Sequence, residues 1–320
     1  MSKVFVSGPL PGDAVERLAA RHDVVVGREH EGVRGDAFAA IARELDGLVA
    51  LLTDRVDAAL LGRAPRLRVV ANVAVGVDNV DLAACAARGV VVTNTPGVLT
   101  EATADLAFGL LLAAARRIAE GDRIVRSGAY AGWTPSFLLG ARVHGATLGI
   151  VGLGRIGQAV ARRARGFGMR VLYAQPARLG EPLERALGAT HVPIDALFAQ
   201  ADFVSLHCPL TPDTHHLVDA QRLAAMKPGA VLVNTARGPC IDETALAEAL
   251  ARGPLGAAAL DVFEDEPHVH PALLALDNVV LAPHVGSADR PTREAMARIA
   301  ADNVLAVLAG DAPLTPVERR

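Results

Sequence analysis

The strand-like runs of this chain scarcely alternate between apolar and polar residues. Short β-branched segments, "VFVSG", "DVVVG", "GLVALL", "LRVVANVAV" and "VVVTNT", fill the first third, separated by Ala-, Leu- and Arg-rich stretches of helical period. A strand without a polar face must be covered on both sides, which a parallel sheet flanked by helices provides. The pattern restarts at "ATLGIVGLG" and continues through "MRVLYAQ", "DFVSLHCPL", "AVLVNTARG", "GAAALDVFE" and "NVVLAPHVG". The expected architecture is therefore α/β, with two doubly wound, Rossmann-like parallel sheets. A length of 320 residues is enough to give each its own core.

Two helical stretches lie outside this alternation. Residues 100–128, "TEATADLAFGLLLAAARRIAEGDRIVRSG", read as one long helical segment with Thr100 as its N-cap. The final "TREAMARIAADNVLAVLAG" can return to the first sheet, which would make that domain discontinuous. The division expected is residues 1–99 with 287–320 for the substrate and residues 100–286 for a dinucleotide, with the active site in the cleft between them. The run "DLAFGLLLAAA" exceeds what covering one small sheet requires, and it predicts a twofold homodimer.

Composition removes several classes of function. Thirty-two basic against 35 acidic residues give a formal charge of -3, which offers nothing to nucleic acid or to an anionic membrane. Apolar runs are too short to span a bilayer, and the opening "MSKVFVSG" does not read as a secretory leader. Cys85, Cys208 and Cys240 are odd in number and scattered. They suggest reduced thiols and a cytoplasmic protein, without a disulfide framework or a metal site.

Chemistry enters at "VGLGRIGQAV", where Gly152, Gly154 and Gly157 are spaced G-x-G-x-x-G between an apolar strand and a helix. In that context Gly152 permits the turn, Gly154 lets the backbone approach a pyrophosphate, and Gly157 allows close packing of the helix, whose N-terminus favours the anion. Hydride transfer at a carbinol carbon further requires a proton carrier and a grip on the substrate. Three strand ends of the second sheet supply candidates: Arg237 in "NTARG", Asp261 and Glu266 in "LDVFEDEP", and His284 in "LAPHVGS". Histidine titrates near neutrality, a carboxylate behind it favours the imidazolium, and arginine binds a carboxylate through paired hydrogen bonds. Other polar residues receive plainer readings. His215 and His216 lie in a polar loop with no third metal ligand nearby in sequence; Cys208 follows a strand as a small wall residue; His268 and His270 read as loop surface; Pro291 fits the first turn of the last helix.

Taken together, "GVDNVDLAACAARGVVVTNTPGVLTEATAD", "GLGRIGQAVARRARGFGMRVLY", "HCPLTPDTHHLV", "MKPGAVLVNTARGPCIDETAL", "ALDVFEDEP" and "LAPHVGSA" resemble blocks of the D-isomer-specific 2-hydroxyacid dehydrogenases, and most of all the glyoxylate and hydroxypyruvate reductase branch. The resemblance covers nearly the whole chain. It implies that Arg237, Glu266 and His284, spaced 29 and then 18 residues apart, are catalytic, and that His284 protonates the carbonyl of a small 2-oxoacid as hydride reaches C2. It further implies substrate contacts at Leu52, Val75, Gly76 and Arg237, with Trp133 reaching into the neighbouring subunit's active site. Cofactor contacts are implied at Thr103, Gly152, Gly154, Arg155, Ile156, Gly157, Gln175, Arg178, Cys208, Pro209, Thr214, Thr235, Ala236, Asp261, Gly286 and Ser287.

Which dinucleotide is used turns on the end of the strand "MRVLYAQPARLG". Gln175 stands where an acidic residue would grip a ribose 2′-OH, and Arg178 follows three residues later. An amide does not repel a 2′-phosphate and an arginine attracts one, so NADPH is expected to be preferred or accepted, with NAD still possible through Gln175. Two alternatives remain open at this stage: the same scaffold acting on phosphite, 2-ketogluconate or D-3-phosphoglycerate, and a dinucleotide-sensing binding protein of the corepressor type.

Overall fold

The computed structural model describes residues 1–317, and they form two compact units: Met1–Leu99 with the stretch from Ser287 onward, and Thr100–Gly286. The first unit holds β1 (Lys3–Val6), β2 (Asp23–Val26), β3 (Gly47–Ala50), β4 (Val69–Asn72) and β5 (Val91–Thr93). These pair in parallel in the order β2-β1-β3-β4-β5. β3 and β4 are buried along their whole length, as their apolar runs require, with Asn72 at the end of β4 satisfied by hydrogen bonds. β2 departs from that reading: at the sheet edge it leaves Asp23 and Val26 exposed. Helix Arg290–Ala309, capped by the Asp289 carboxylate on the Thr292 N–H, packs against β3 and β4. Gly47 makes the close approach possible, since a Cβ there would lie 3.1 Å from Val304.

The second unit holds β6 (Thr147–Val151), β7 (Arg170–Ala174), β8 (Ala189–His191), β9 (Phe203–Leu206), β10 (Val231–Asn234), β11 (Ala257–Leu260) and β12 (Val279–Leu281). All pairings are parallel, in the order β12-β11-β10-β9-β6-β7-β8. The chain leaves β6 toward β7 on one side and later returns on the other side as β9. That reversal is the switch point at which doubly wound sheets bind ligands, beyond the strand carboxyl ends.

The segment 100–128 is not one helix. Helix Thr100–Ala115 stops at Arg116 and Arg117, and helix Ile118–Arg126 begins after Arg117 adopts a left-handed φ of 53°. Thr100 is the first helical residue rather than the cap before it. The apolar run expected to exceed its own domain's needs is consumed within the unit: Ala104, Ala107, Phe108, Leu111 and Ala115 are buried, and the helix packs on helix Arg155–Gly166 and on β10 and β11. The shorter helix has no buried residue. Among the described residues no helix is long and apolar enough to cross a membrane.

Candidate active site

The glycine turn after β6 is forced by its surroundings at two positions and by nothing in the protein at the third. Gly152 has φ +89°, and a Cβ there would meet the backbone of His207 and Cys208 at 2.9 Å. At Gly157 a Cβ would meet the Gly152 carbonyl at 2.3 Å. Around Gly154 nothing lies within 4 Å, so the space that a Cβ would fill stays open. Helix Arg155–Gly166 follows Gly154 without a side-chain cap, so no side chain satisfies the first-turn N–H groups of Arg155, Ile156 and Gly157 at the positive end of the helix dipole. Further along the same strand ends, the Thr235 hydroxyl is buried without a partner. An open glycine, an uncapped helix and an orphan hydroxyl fit a dinucleotide's diphosphate and sugars.

Gln175, at the end of β7, braces this loop: its Oε1 accepts from the Leu153 N–H at 2.9 Å, and its Nε2 donates to the Ala177 carbonyl at 2.6 Å. Arg178 donates twice to the Glu184 carboxylate, at 2.9 and 2.7 Å, and the Tyr173 hydroxyl donates to the same group at 2.6 Å. Those bonds, from Arg178 first and then from Tyr173, hold the Glu184 carboxyl at about 2. The Arg178 side chain remains 65% exposed, so its guanidinium still presents a face to solvent. Thr214 spends its hydroxyl inside its own loop, donating to the Pro209 carbonyl at 2.6 Å.

Three strand ends converge on His284. After β12 the chain turns through His284 at a left-handed φ of 54°. The buried Asp261, just after β11, shapes that turn: its carboxylate accepts from the N–H groups of Val285 (2.7 Å) and Gly286 (2.8 Å), and its carbonyl from the His284 N–H (2.8 Å). Burial pushes the Asp261 carboxyl up despite those bonds. His284 Nδ1 then meets Glu266 Oε2 at 2.8 Å. Burial raises the Glu266 carboxyl, but the hydrogen bond with His284 and the charges of His284 and Arg237 outweigh it, leaving the group below its ordinary value. Arg237 follows β10, and its loop is fixed by Asn234, whose Nδ2 donates to the Arg237 carbonyl and whose Oδ1 accepts from the Ala236 N–H. This asparagine escaped the sequence reading, although a polar residue ending an apolar strand was its visible signal. Thr103, Asp261 and Gly286 come together: a Cβ on Gly286 would lie 3.2 Å from the Asp261 carboxylate and 3.5 Å from Thr103.

In the first unit the Asp54 carboxylate accepts from the Leu51 N–H at 2.8 Å and so sets the loop that carries the half-buried Leu52. The loop after β4 turns the Val75 carbonyl to Asn94 Nδ2 and the Gly76 carbonyl to Asn72 Nδ2. Ser287 belongs to this unit, where its carbonyl accepts from Arg293. Trp133, in the second unit, is 79% exposed.

Of the plainer readings, those of His270 and of the His215–His216 pair change, and that of Cys208 stands. His270 is not idle loop surface, because its Nδ1 accepts from the Ala272 N–H and caps helix Pro271–Leu274. The Cys208 thiol is pushed up, by its bond to Cys240 first and by burial second, as suits a wall residue rather than a nucleophile. His215 and His216 do have an acidic neighbour, Glu264, which the loop after β11 delivers from 48 residues away.

The comparisons with known proteins agree with this geometry. Residues 108–286 match the family model described as "D-isomer specific 2-hydroxyacid dehydrogenase, NAD binding domain". The chain is 47% identical over 321 residues to a glyoxylate reductase of Thermococcus onnurineus, covering 99% of this chain and 96% of that protein. A crystal structure of a Thermus thermophilus protein superposes with a TM-score of 0.92 at 48% identity, over 99% of this chain and 100% of that one. An NADPH-dependent glyoxylate/hydroxypyruvate reductase of Sinorhizobium meliloti, solved with NADP and malonate, gives 0.88 at 37% identity, covering 100% and 99%.

Proposed function

We propose, given that the chain belongs to the D-isomer specific 2-hydroxyacid dehydrogenase family, that this oxidoreductase reduces small 2-oxoacids, glyoxylate and hydroxypyruvate first, to their 2-hydroxyacids. The observation that carries the reading is the His284–Glu266 pair beside the Arg237 charge, on the same sheet as an open glycine turn and an uncapped helix. In this reading residues 100–286 hold the dinucleotide and residues 1–99 with 287–320 serve the substrate. Gly152, Gly154, Gly157, Arg155 and Ile156 take the diphosphate, while Thr103, Cys208, Pro209, Thr235, Ala236, Asp261, Gly286 and Ser287 line the rest of the cofactor. When bound, the nicotinamide supplies the hydride to C2.

The chain's own residues do the remaining work. Arg237 grips the substrate carboxylate through paired hydrogen bonds. The Val75 and Gly76 amides add donors to that grip, since their carbonyls are already turned into the protein. His284, protonated at Nε2 and held at Nδ1 by Glu266, gives its proton to the carbonyl oxygen, and the carboxylate stabilises the imidazolium until that moment. Leu52 bounds the space beyond C3, and Trp133 reaches it from a second copy of the chain, which favours short side chains. Initial rates on glyoxylate, hydroxypyruvate, pyruvate and phenylpyruvate test this: the two small acids should lead. A preference for phenylpyruvate would overturn the substrate class, and oxidation of phosphite would favour the alternative on the same scaffold.

NADPH is accepted alongside NADH in this reading. It is supported by the absence of a carboxylate at Gln175 and by the exposed face of Arg178, which a 2′-phosphate would share with Glu184. Arg178→Ala should weaken NADPH about tenfold, or about 1.4 kcal/mol, and change NADH little. Equal losses for both cofactors would refute the assignment. The chain works as a homodimer, with the exposed apolar residues of 118–139, Ile118, Val125, Trp133 and Leu139, forming the contact. Sedimentation of a single 33.2 kDa species at micromolar concentration would contradict it.

A further inference from the structure

We propose that His215, His216 and Glu264 form a binding site for one divalent transition-metal ion of borderline softness, for which zinc(II) is the probe of choice. One ligand atom from each residue lies within 4.8 Å of the other two. His216 Nε2 and Glu264 Oε1 are 2.5 Å apart, and the two imidazoles stack with centroids 4.2 Å apart and planes 28° from parallel.

The donors are also held in place. His216 sits at a left-handed φ of 48°, with its N–H donating to the Pro239 carbonyl at 2.8 Å. Glu264 is locked to Glu243 in both directions: its N–H donates to Glu243 Oε1 at 2.8 Å, while its Oε2 accepts from the Glu243 N–H at 3.4 Å. That second bond holds Oε2, so an ion would take Oε1 in exchange for its hydrogen bond with His216, and Glu243 is the kind of outer support that orients metal ligands. The His216 and Glu264 side chains are 37% and 34% exposed, so water can complete the coordination.

Two nitrogens and one oxygen suit zinc with an open fourth position, whereas calcium and magnesium take oxygen donors almost alone. Tetrahedral zinc bonds of about 2.0–2.1 Å need the donors about 3.3 Å apart, so His216 and Glu264 separate while the more widely spaced donors of the cluster, up to 4.8 Å apart, close in. The proton between them leaves to solvent as the ion enters. Because Glu264 lies two residues before Glu266, an ion here steadies the loop that carries the partner of His284.

Isothermal titration of zinc chloride into the chelator-stripped full chain tests the site. One equivalent should bind with a Kd on the order of micromolar, and magnesium should give no saturable heat. His215→Gln and Glu264→Gln should each weaken zinc by about 10- to 100-fold, and His284→Ala should leave the stoichiometry unchanged. Should Glu264→Gln fail to fold, the exposed His215→Gln still decides the matter. Zinc near 100 times its Kd should raise the wild-type Tm by about 4 °C and that of His215→Gln by far less. The proposal is overturned if the wild type shows no saturable zinc binding, if His215→Gln binds with parental affinity, or if His284→Ala abolishes the site.

Discussion

Two histidine–glutamate pairs depend on one short loop, and their cores are built alike. His284 meets Glu266 at 2.8 Å and His216 meets Glu264 at 2.5 Å; both histidines have left-handed backbones, at φ 54° and 48°. What differs is the third partner. The Glu266 carboxylate feels the Arg237 guanidinium, so this pair is arranged around an anion. The Glu264 carboxylate is tied to Glu243 and faces a second imidazole, so that pair is arranged around a cation. A histidine with a carboxylate behind it is therefore not yet a general acid. Its role depends on the charge of whatever its environment can hold.

The sharpest way to break the comparison is to remove each histidine in turn. His284→Ala should lower kcat for glyoxylate by about 10² to 10⁴-fold, the usual weight of a general acid, while dinucleotide binding followed by fluorescence survives. His216→Ala should cost far less; equal losses would mean that the two pairs do not differ in role. Next in size is Gly238→Ala. Its Cβ would fall 1.8 Å from the Phe263 backbone, which must move and carry both Glu264 and Glu266 with it. Activity should fall by more than about tenfold, with Tm lowered by several degrees, as overpacking against backbone predicts. A variant with parental activity and stability would show that the loop is not the shared support.

A smaller effect sharpens the catalytic side alone. His284 helps to hold the Glu266 carboxyl below its ordinary value, so Glu266 places an ionised carboxylate against the imidazole. Glu266→Gln removes that charge. Reduction, which needs the proton on His284, should then lose its alkaline activity at lower pH than the wild type, with kcat at neutrality down about tenfold. A pH–rate profile that moved the other way, or not at all, would remove Glu266 from the proton-handling unit.

Much of this was legible in the sequence because it depends on local rules. Apolar strand runs name a parallel sheet, and G-x-G-x-x-G between strand and helix names a turn whose geometry needs glycine at 152 and 157. Arg237, Glu266 and His284 could be nominated because each follows a strand on the side where the sheet binds ligands. Illegible features depended on tertiary choices between local options. The break at Arg117 turns on one left-handed residue that no glycine announced. The apolar face of helix Thr100–Ala115 could have met a second chain as well as its own sheet, and only packing shows that it meets the sheet. Glu264 lies 48 residues from His216, beyond any local spacing rule, and the loop after β11 alone brings them together. Gln175 and Arg178 were identified by position, but their engagement with Leu153 and Glu184 depends on how the turn after β7 closes.

The central claim is a hydride and a proton delivered across one face of a 2-oxoacid, and the product of hydroxypyruvate reduction tests it most directly. Wild-type enzyme with a stoichiometric amount of NADPH or NADH should consume the reduced cofactor and hydroxypyruvate one for one, and chiral chromatography should show D-glycerate alone. L-glycerate, a racemate, or no glycerate with either cofactor would contradict the account.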